Sequence, residues 1–215
     1  MIRRTALALS LSLLPMQADA LCLCLKCLGG PFRHYIMPSS SMEPGIPTGT
    51  CFTLAVPAAG VALPPRGTVI GFTHPVSGET HVFRLIGLPG DTVAIEDGQL
   101  RLNGIGVVQV PVADYVTPRL AGTHWRRCGT EEDGVCRTAR LRETLPGGTE
   151  YEVLDLGDIA VTDRMAPQQV PEGHVFVLGD NRDNAMDSRF GPATGGPGMI
   201  PLSHVFGLFD TFLPP

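Results

Sequence analysis

The chain has 215 residues, of which 43% are hydrophobic and 17% charged, and its formal net charge is −5. This length suits one domain with a buried core and excludes a multidomain assembly. The acidic balance and the single lysine, Lys26, leave no basic surface for a phosphate backbone, which excludes nucleic acid as a partner. The 26 glycines and 20 prolines predict a folded chain rich in turns.

Residues 1–29 have the pattern of an export segment. Two arginines precede an apolar run from Ala6 to Leu14, and Ala18-Asp19-Ala20 has the small residues of a cleavage site. Polar residues interrupt the longer apolar run that a membrane-spanning helix would need. A cleaved signal peptide and a short uncleaved membrane anchor both remain open, and both place residues 30–215 outside the cytoplasm.

The six cysteines suit an oxidising compartment. Cys128 and Cys136 flank an acidic turn, and we predict a disulfide that closes this hairpin. Cys22, Cys24 and Cys27 have a spacing that could hold a metal, but no His/Cys pair close by in the sequence completes a set of four ligands. We therefore expect buried or lipid-facing thiols there, and no metal or cofactor.

The body of the chain is predicted to be mainly β, because short β-branched or alternating runs recur after residue 30 without helical periodicity. The Asp97-Gly98 pair predicts a hairpin turn, and Asn103-Gly104 marks the next turn. Residues 112–149 break the strand rhythm and are predicted to be an insertion. The predicted strands are 51–56, 68–73, 80–87, 92–95, 99–102, 174–178 and 204–209.

Three segments, taken together and in order, resemble the bacterial type I signal peptidases, also called leader peptidases. The segments are Met37–Gly45 (MPSSSMEPG), Phe83–Asp91 (FRLIGLPGD) and Gly179–Gly191 (GDNRDNAMDSRFG). Members of that family are Ser-Lys endopeptidases that cut exported precursors at the outer face of the membrane. The resemblance covers roughly residues 30–210 and implies a signal-peptidase-like antiparallel β fold with an inserted smaller subdomain. It also implies exported preproteins or their signal peptides as partners, and membrane association.

By position, the resemblance implies that Ser41 is the nucleophile and that Ser39 helps to form the oxyanion hole. A serine hydroxyl is a poor nucleophile at neutral pH and needs a base within hydrogen-bond reach. The tetrahedral intermediate needs donors aimed at its negative oxygen. Gly45 stands where the family usually has threonine, so we expect a looser turn after the serine.

The family's general base is missing from this sequence. The resemblance places a lysine immediately before Arg84, and this chain has Phe83 there. It also places a serine that orients the lysine at position 185, and this chain has Ala185. A phenyl ring cannot accept a proton, so both halves of the base assembly are absent.

Histidine is the alternative proton acceptor. His81 precedes Phe83 by two residues, so the two side chains are expected on the same face of one strand. His74 and His174 are weaker candidates, as is Lys26, which would have to fold back from the export segment. A single histidine in a half-buried strand also commonly has only a structural role.

The resemblance also implies that a cluster of charges of alternating sign ties the strand and its following loop together by ion pairs beneath the catalytic groove, and two-point Arg–carboxylate geometry suits this positioning role. A direct chemical role for Asp187 is the less favoured alternative. The predicted scaffold residues are Arg84, Asp180, Arg182, Asp183, Asp187 and Arg189.

Two functions follow. The first is a signal peptidase I-like endopeptidase with Ser41 as nucleophile and an unconventional base. The second is a catalytically deficient homologue that binds signal peptides or an active paralogue by β-strand addition. Retention of both Ser39 and Ser41 favours the first, whereas Phe83 and Ala185 favour the second.

Overall fold

A computed structural model describes residues 22–57, 63–119 and 127–214, and it consists mainly of antiparallel β-strands. It contains one short α-helix, α1 (Ala160–Asp163), together with four single 3₁₀ turns at Leu25–Cys27, Arg182–Asn184, Pro192–Thr194 and Leu202–His204. The strands are β1 (Phe32–Ile36), β2 (Cys51–Ala55), β3 (Val69–Thr73), β4 (Thr80–Gly87), β5 (Thr92–Glu96), β6 (Gln99–Leu102), β7 (Ile105–Gly106), β8 (Val108–Pro118), β9 (Thr130–Glu132), β10 (Val135–Thr144), β11 (Glu150–Asp155), β12 (Met165–Gln169), β13 (His174–Leu178), β14 (Ile200–Pro201) and β15 (Val205–Phe212).

The strands form three sheets. A seven-stranded sheet has the order β1-β2-β15-β3-β4-β13-β14, and each neighbouring pair in it is antiparallel. A second sheet joins β11, β10 and β8, with β9 paired to β10. A third has the order β12-β5-β6-β7. The expectation of a mainly β, antiparallel fold is therefore confirmed.

The predicted turns lie where two-residue hairpins need them. Asp97 and Gly98 join β5 to β6 with φ of 48° and 78°, and Asn103 and Gly104 join β6 to β7 with φ of 53° and 78°. These values match the left-handed pair of a type I′ turn, in which aspartate, asparagine and glycine are the favoured residues.

One strand, β13, contributes to two hydrophobic cores. Val175 and Val177 pack into a core with β2, β3 and the β4 residues Val82, Phe83 and Leu85. Phe176 and Leu178 pack into a second core, formed with β5, β6 and β11. Side chains alternate across a strand, so β13 separates the two cores and its end, at residue 178, is held from both faces.

The described residues of the region predicted to be an insertion, 112–119 and 127–149, lie in or between strands of the second sheet, which runs from β8 to β11. The sequence pattern missed these strands because β8 and β9 are mostly exposed and neither β8 nor β10 shows a regular alternation of burial. Cys128 and Cys136 are joined by a disulfide across the β9–β10 hairpin.

The expectation of free thiols near the N-terminus is wrong. Cys22 is bonded to Cys51 on β2, and Cys24 is bonded to Cys27 across the first 3₁₀ turn. Residues 1–21, on which the signal or anchor prediction mainly depends, lie outside the described residues. Within the part of the chain that the structure describes, no helix is long and apolar enough to cross a membrane.

Candidate active site

The serine segment lies between β1 and β2 and is anchored by two buried side chains. Met42 and Ile46 are 0% and 1% exposed, and the Ile46 amide donates to the Met42 carbonyl at 2.7 Å. At the start of the segment the Met37 amide donates to the Thr50 carbonyl at 3.0 Å. Burial of Met42 and Ile46 fixes the turn, and the serines lie just before it, between the buried Met37 and Met42.

The serines are also bonded to the loop that follows β13. The Asn181 amide donates to the Ser41 carbonyl at 3.0 Å, and the Asn184 side chain donates to the Ser40 hydroxyl at 2.5 Å. The Ser39 and Ser41 hydroxyl oxygens are 3.0 Å apart, and either can donate. The segment is therefore held as part of the scaffold, with the Ser39 and Ser41 hydroxyls in contact.

Carbon fills the position where the sequence resemblance places the family's base. Phe83 is 4% exposed, and its ring centroid lies 6.0 Å from that of Phe72. A Cβ added to Gly179 would lie 2.6 Å from the Ser41 carbonyl oxygen, 2.3 Å from the Ala185 Cβ and 3.4 Å from a ring carbon of Phe83. Ser41, Phe83 and Ala185 therefore surround one point, and the two base positions beside the serine are both apolar.

His81 shares a cavity with the serines. The cavity has a volume of about 160 Å³ and is lined by residues 37–39, 41 and 79–83. Burial lowers the pKa of the His81 imidazole, and the nearby His74 lowers it further, although Glu79 opposes the shift. The imidazole is thus neutral at pH 7. The His81 and Phe83 ring centroids are 6.2 Å apart, so both side chains lie on one face of β4.

In the part of the chain that the structure describes, the serine hydroxyl has no nitrogen base as a partner. Among the described residues, no histidine or lysine nitrogen is hydrogen-bonded to the Ser41 Oγ, whose partner is Ser39. The Nδ1 of His74 accepts hydrogen bonds from the backbone amides of Val76 and Ser77, both at 3.2 Å. These bonds hold the His74 ring against the turn that follows it.

The two remaining candidates are engaged elsewhere. Lys26 forms an ion pair with Asp210 and lies over the Phe32 ring. His174 Nδ1 is 3.1 Å from the Glu172 carbonyl oxygen. Neither Lys26 nor His174 lines the cavity that contains Ser41.

Arg84 and Asp180 form a two-point ion pair beneath the serine segment. The Arg84 Nε and Nη2 donate to the two Asp180 oxygens at 2.7 and 2.6 Å, and Nη1 donates to the Gly67 carbonyl at 2.6 Å. Burial alone would lower the pKa of the Arg84 guanidinium, but the paired Asp180 carboxylate raises it above its usual value. This pair ties β4 to the loop after β13.

The expectation of a loose turn at Gly45 is wrong. A Cβ on Gly45 would lie 2.2 Å from an Asp180 carboxylate oxygen and 3.2 Å from Arg84 Nη2. The turn therefore packs directly on the ion pair, and the threonine usual in the family could fit only if Asp180 moved.

Asp187 and Arg189 form a second two-point pair, with both contacts at 2.8 Å. Asp187 also accepts the Gly179 amide at 2.9 Å, and Arg189 donates to the Arg182 carbonyl. Both side chains are almost completely buried. Asp187 thus uses its oxygens to position the loop around Gly179.

Arg182 binds a residue that sequence reasoning did not assign to the scaffold. Its guanidinium donates to both oxygens of Glu143 on β10, at 2.9 and 2.5 Å. Tyr151 and Gln109 also donate to Glu143, at 2.6 and 2.9 Å. Burial would raise the pKa of the Glu143 carboxyl, but Arg182 and these donors lower it below its usual value.

Asp183 likewise faces away from the groove, because it accepts the Leu156 amide at 2.8 Å and the Thr162 hydroxyl. The predicted charged residues therefore have different hydrogen-bond partners. Two pairs lie next to the serine segment, while Arg182 and Asp183 join the loop to the strands and helix of the neighbouring layer. The sequence motif predicted a scaffold role for Arg182 and Asp183, but it did not predict which residues they bind.

The family model described as signal peptidase, peptidase S26, matches residues 11–213. The chain belongs to this family. Within the peptidase S26 family, it is 32% identical over 133 residues to the signal peptidase I of Rickettsia akari (strain Hartford), covering 59% of this chain and 44% of that protein. It is 29% identical over 197 residues to the signal peptidase I of Pseudomonas fluorescens, covering 82% of this chain and 62% of that protein.

The chain thus spans about half the length of the Rickettsia relatives that it matches. A crystal structure of a signal peptidase I from Enterococcus faecalis V583 is 27% identical, with a TM-score of 0.39, and the match covers 70% of this chain and all of that one.

Proposed function

We propose that this member of the signal peptidase family is a catalytically deficient homologue that binds signal peptides of exported preproteins in the groove beside Ser41. The observation that carries the proposal is the apolar surrounding of the serine, in which Phe83 and Ala185 stand at the positions of the base and its partner. An active paralogue is a further partner for the same surface.

The missing base decides the level of activity. A well-placed general base contributes about 10²- to 10⁴-fold to a rate, and losing one member of a nucleophile–base unit can cost on the order of 10⁶. Ser39 and the Ser41 amide supply oxyanion donors, but donors alone leave only a small residual rate.

The groove retains an edge for peptide binding. On β4, the ladder with β13 includes Arg84 and residues beyond it, whereas residues 80–83 pair with β3 alone among the described strands. An extended peptide can add to such an edge through its backbone. The cavity of about 160 Å³ has the volume of about five water molecules, so it suits small side chains.

We place the groove at the outer face of the membrane. The three disulfides suit an oxidising, extracytoplasmic compartment. Substrates that carry a signal peptide reach that face as they are exported, so the proposed location and the proposed partner agree.

Peptide binding and cleavage are measured separately on the purified chain. A labelled signal-peptide segment with small residues three positions apart should bind, and Ser39→Trp, which fills the cavity, should weaken binding at least tenfold. Ser203→Trp, at an exposed position on the fourth 3₁₀ turn, is the matched control. Absence of binding, or rapid cleavage abolished by Ser41→Ala, would refute the proposal.

A second candidate function is cleavage by a Ser41–His81 pair. It is favoured by one observation, the neutral imidazole of His81 in the same cavity as the serine. In that case His81→Ala would remove a measurable cleavage rate while His174→Ala would not. Equal rates in the two variants would exclude His81 as the base.

A further inference from the structure

The Cys24–Cys27 turn lies against a histidine. His34 is on β1, and its imidazole together with the two cysteine sulfurs forms a group of three donor atoms, all within 4.8 Å of one another. In the described residues this is the one group of three such donors at metal-ligating distance. Cys24 is buried, Cys27 is partly exposed and His34 is exposed, so the group opens to solvent on the His34 side.

The donor set has the composition of a zinc site. Cys-x-x-Cys is the spacing that places two thiolates on one cation, and an imidazole is the usual companion ligand. Zinc–sulfur and zinc–nitrogen bonds of about 2.3 and 2.0 Å allow three ligand atoms within 4.8 Å of one another to reach one ion. Two thiolates and one imidazole leave the fourth tetrahedral position for water or an external ligand.

The turn keeps its place without the Cys24–Cys27 bond. Cys22 is bonded to Cys51 on β2, which anchors the segment just before the turn. Lys26, inside the turn, forms an ion pair with Asp210 and lies 4.7 Å from the Phe32 ring centroid. The Cys27 amide donates to the Cys24 carbonyl at 3.2 Å. None of these contacts depends on the Cys24–Cys27 bond, so we expect both sulfurs to stay beside His34 after the bond is reduced.

The same bond contributes least to folding. The three disulfides join residues 3, 8 and 29 positions apart, and the Cys24–Cys27 bond has the shortest separation. A disulfide restricts the unfolded chain more when its loop is longer. Opening Cys24–Cys27 therefore costs less stability than opening Cys22–Cys51, and a dithiol can reduce it while the fold persists.

We propose that Cys24, Cys27 and His34 form a redox-gated zinc site, closed as the disulfide and open as the dithiol. A dithiol reductant attacks the disulfide, is itself oxidised to a disulfide, and transfers two electrons and two protons to the cysteines. Zn²⁺ then binds the two sulfurs and His34 and releases the two thiol protons. This site is independent of the groove at Ser41 and of the activity proposed there.

The test is a titration of the purified chain with Zn²⁺, and with Co²⁺ as a spectroscopic probe, before and after mild dithiol reduction. Alkylation and mass spectrometry identify which cysteines are reduced. The expected result is one equivalent of Zn²⁺ bound only after Cys24 and Cys27 are reduced, with thiolate-to-cobalt charge-transfer bands. Zn²⁺ binding of equal stoichiometry by Cys24→Ser/Cys27→Ser would overturn the site.

His34 is tested separately. Removing a residue that only hydrogen-bonds to a metal ligand lowers metal affinity about 10- to 100-fold. His34 is proposed as a direct ligand, so His34→Ala should weaken Zn²⁺ binding by more than about tenfold. His174→Ala is the matched control and should leave the affinity unchanged. His34→Cys should restore tight binding and add cobalt–thiolate absorption, which a merely structural role would not do. Unchanged affinity in His34→Ala would remove the histidine from the site and refute the proposal.

Discussion

Supplying the base that is absent under the proposed function tests whether the groove is otherwise competent. The double variant Phe83→Lys/Ala185→Ser places an amine and a hydroxyl at the two apolar positions beside Ser41. A gain in cleavage of about 10²- to 10⁴-fold is expected from a positioned base, equivalent to roughly 3–5 kcal/mol of the activation barrier.

The structure also sets the cost of this change. Phe83 is 4% exposed and packs against the rings of Phe72 and His81. Truncation of a buried phenylalanine to alanine costs about 3–5 kcal/mol, and the methylenes of a lysine recover part of that loss. A net cost of about 3 kcal/mol would lower the melting temperature by roughly 6–12 °C for a chain of this size.

Burial should make the new lysine a usable base. Transfer of an ammonium group into an apolar setting lowers its pKa, because the charged form loses its solvation. The cleavage rate of the double variant should therefore rise with pH through this lowered pKa. The assay is cleavage of a fluorogenic signal-peptide substrate across pH 5–10, with Ser41→Ala added to the double variant as the blank.

Phe83→Leu/Ala185→Ser is the matched control, because it changes the packing without supplying a base. If the lysine variant folds and binds peptide but cleaves no faster than the leucine variant, the reasoning is refuted. The groove would then lack more than its proton acceptor.

Two further predictions concern the scaffold. Glu143→Gln leaves the Arg182 guanidinium buried without its counter-charge and should cost about 3–5 kcal/mol at pH 7. The folded-state pKa of Glu143 is lowered, so the stability that its carboxylate provides is complete above the unfolded pKa and is lost as pH falls through the folded pKa. In denaturant unfolding, the difference in unfolding free energy between the variant and the parent should therefore disappear in acid. Gly179→Ala should displace the loop from Ser41, because its Cβ would lie 2.6 Å from the Ser41 carbonyl and 2.3 Å from Ala185 Cβ, and peptide affinity should fall with it.

Each of these has a control. Glu150→Gln, on the exposed end of β11, removes a carboxylate of the same type and should change the unfolding free energy by less than about 0.5 kcal/mol. Gly191→Ala has no atom within 4 Å of its added Cβ and should retain peptide affinity. A constant stability difference at every pH for Glu143→Gln, or wild-type affinity in Gly179→Ala, would contradict these predictions.

The sequence predicted strands in which apolar residues form a short run or alternate. It missed the mostly exposed strands β1, β8 and β12, and also β11, although Tyr151, Val153 and Leu154 are buried there. Strands β4 and β13 stand out because apolar side chains dominate them, and both have the predicted bounds. Strands β8 and β10 carry charged and exposed residues, so their β structure depends on pairing with each other rather than on a pattern within either.

Contacts between distant segments were the least predictable part of the site. The Glu143–Arg182 pair joins residues that are 39 positions apart, and its geometry depends on how two sheets pack. Similarly, the sequence alone gave no reason to bring His34 to Cys24, because that contact requires the N-terminal turn to fold over β1. Motif resemblance supplied the positions of Ser41 and Phe83, and strand alternation placed His81 on the same face of β4 as Phe83.

Strand β13 has a consequence for how this molecule tolerates change. Because its two faces belong to different cores and its end carries the loop that holds Ser41, a substitution in either core shifts the same few backbone atoms. A change in side-chain volume in one core therefore requires a compensating change in the other. Enlarging the groove to accept peptides with larger side chains would therefore require coordinated substitutions on both faces of β13.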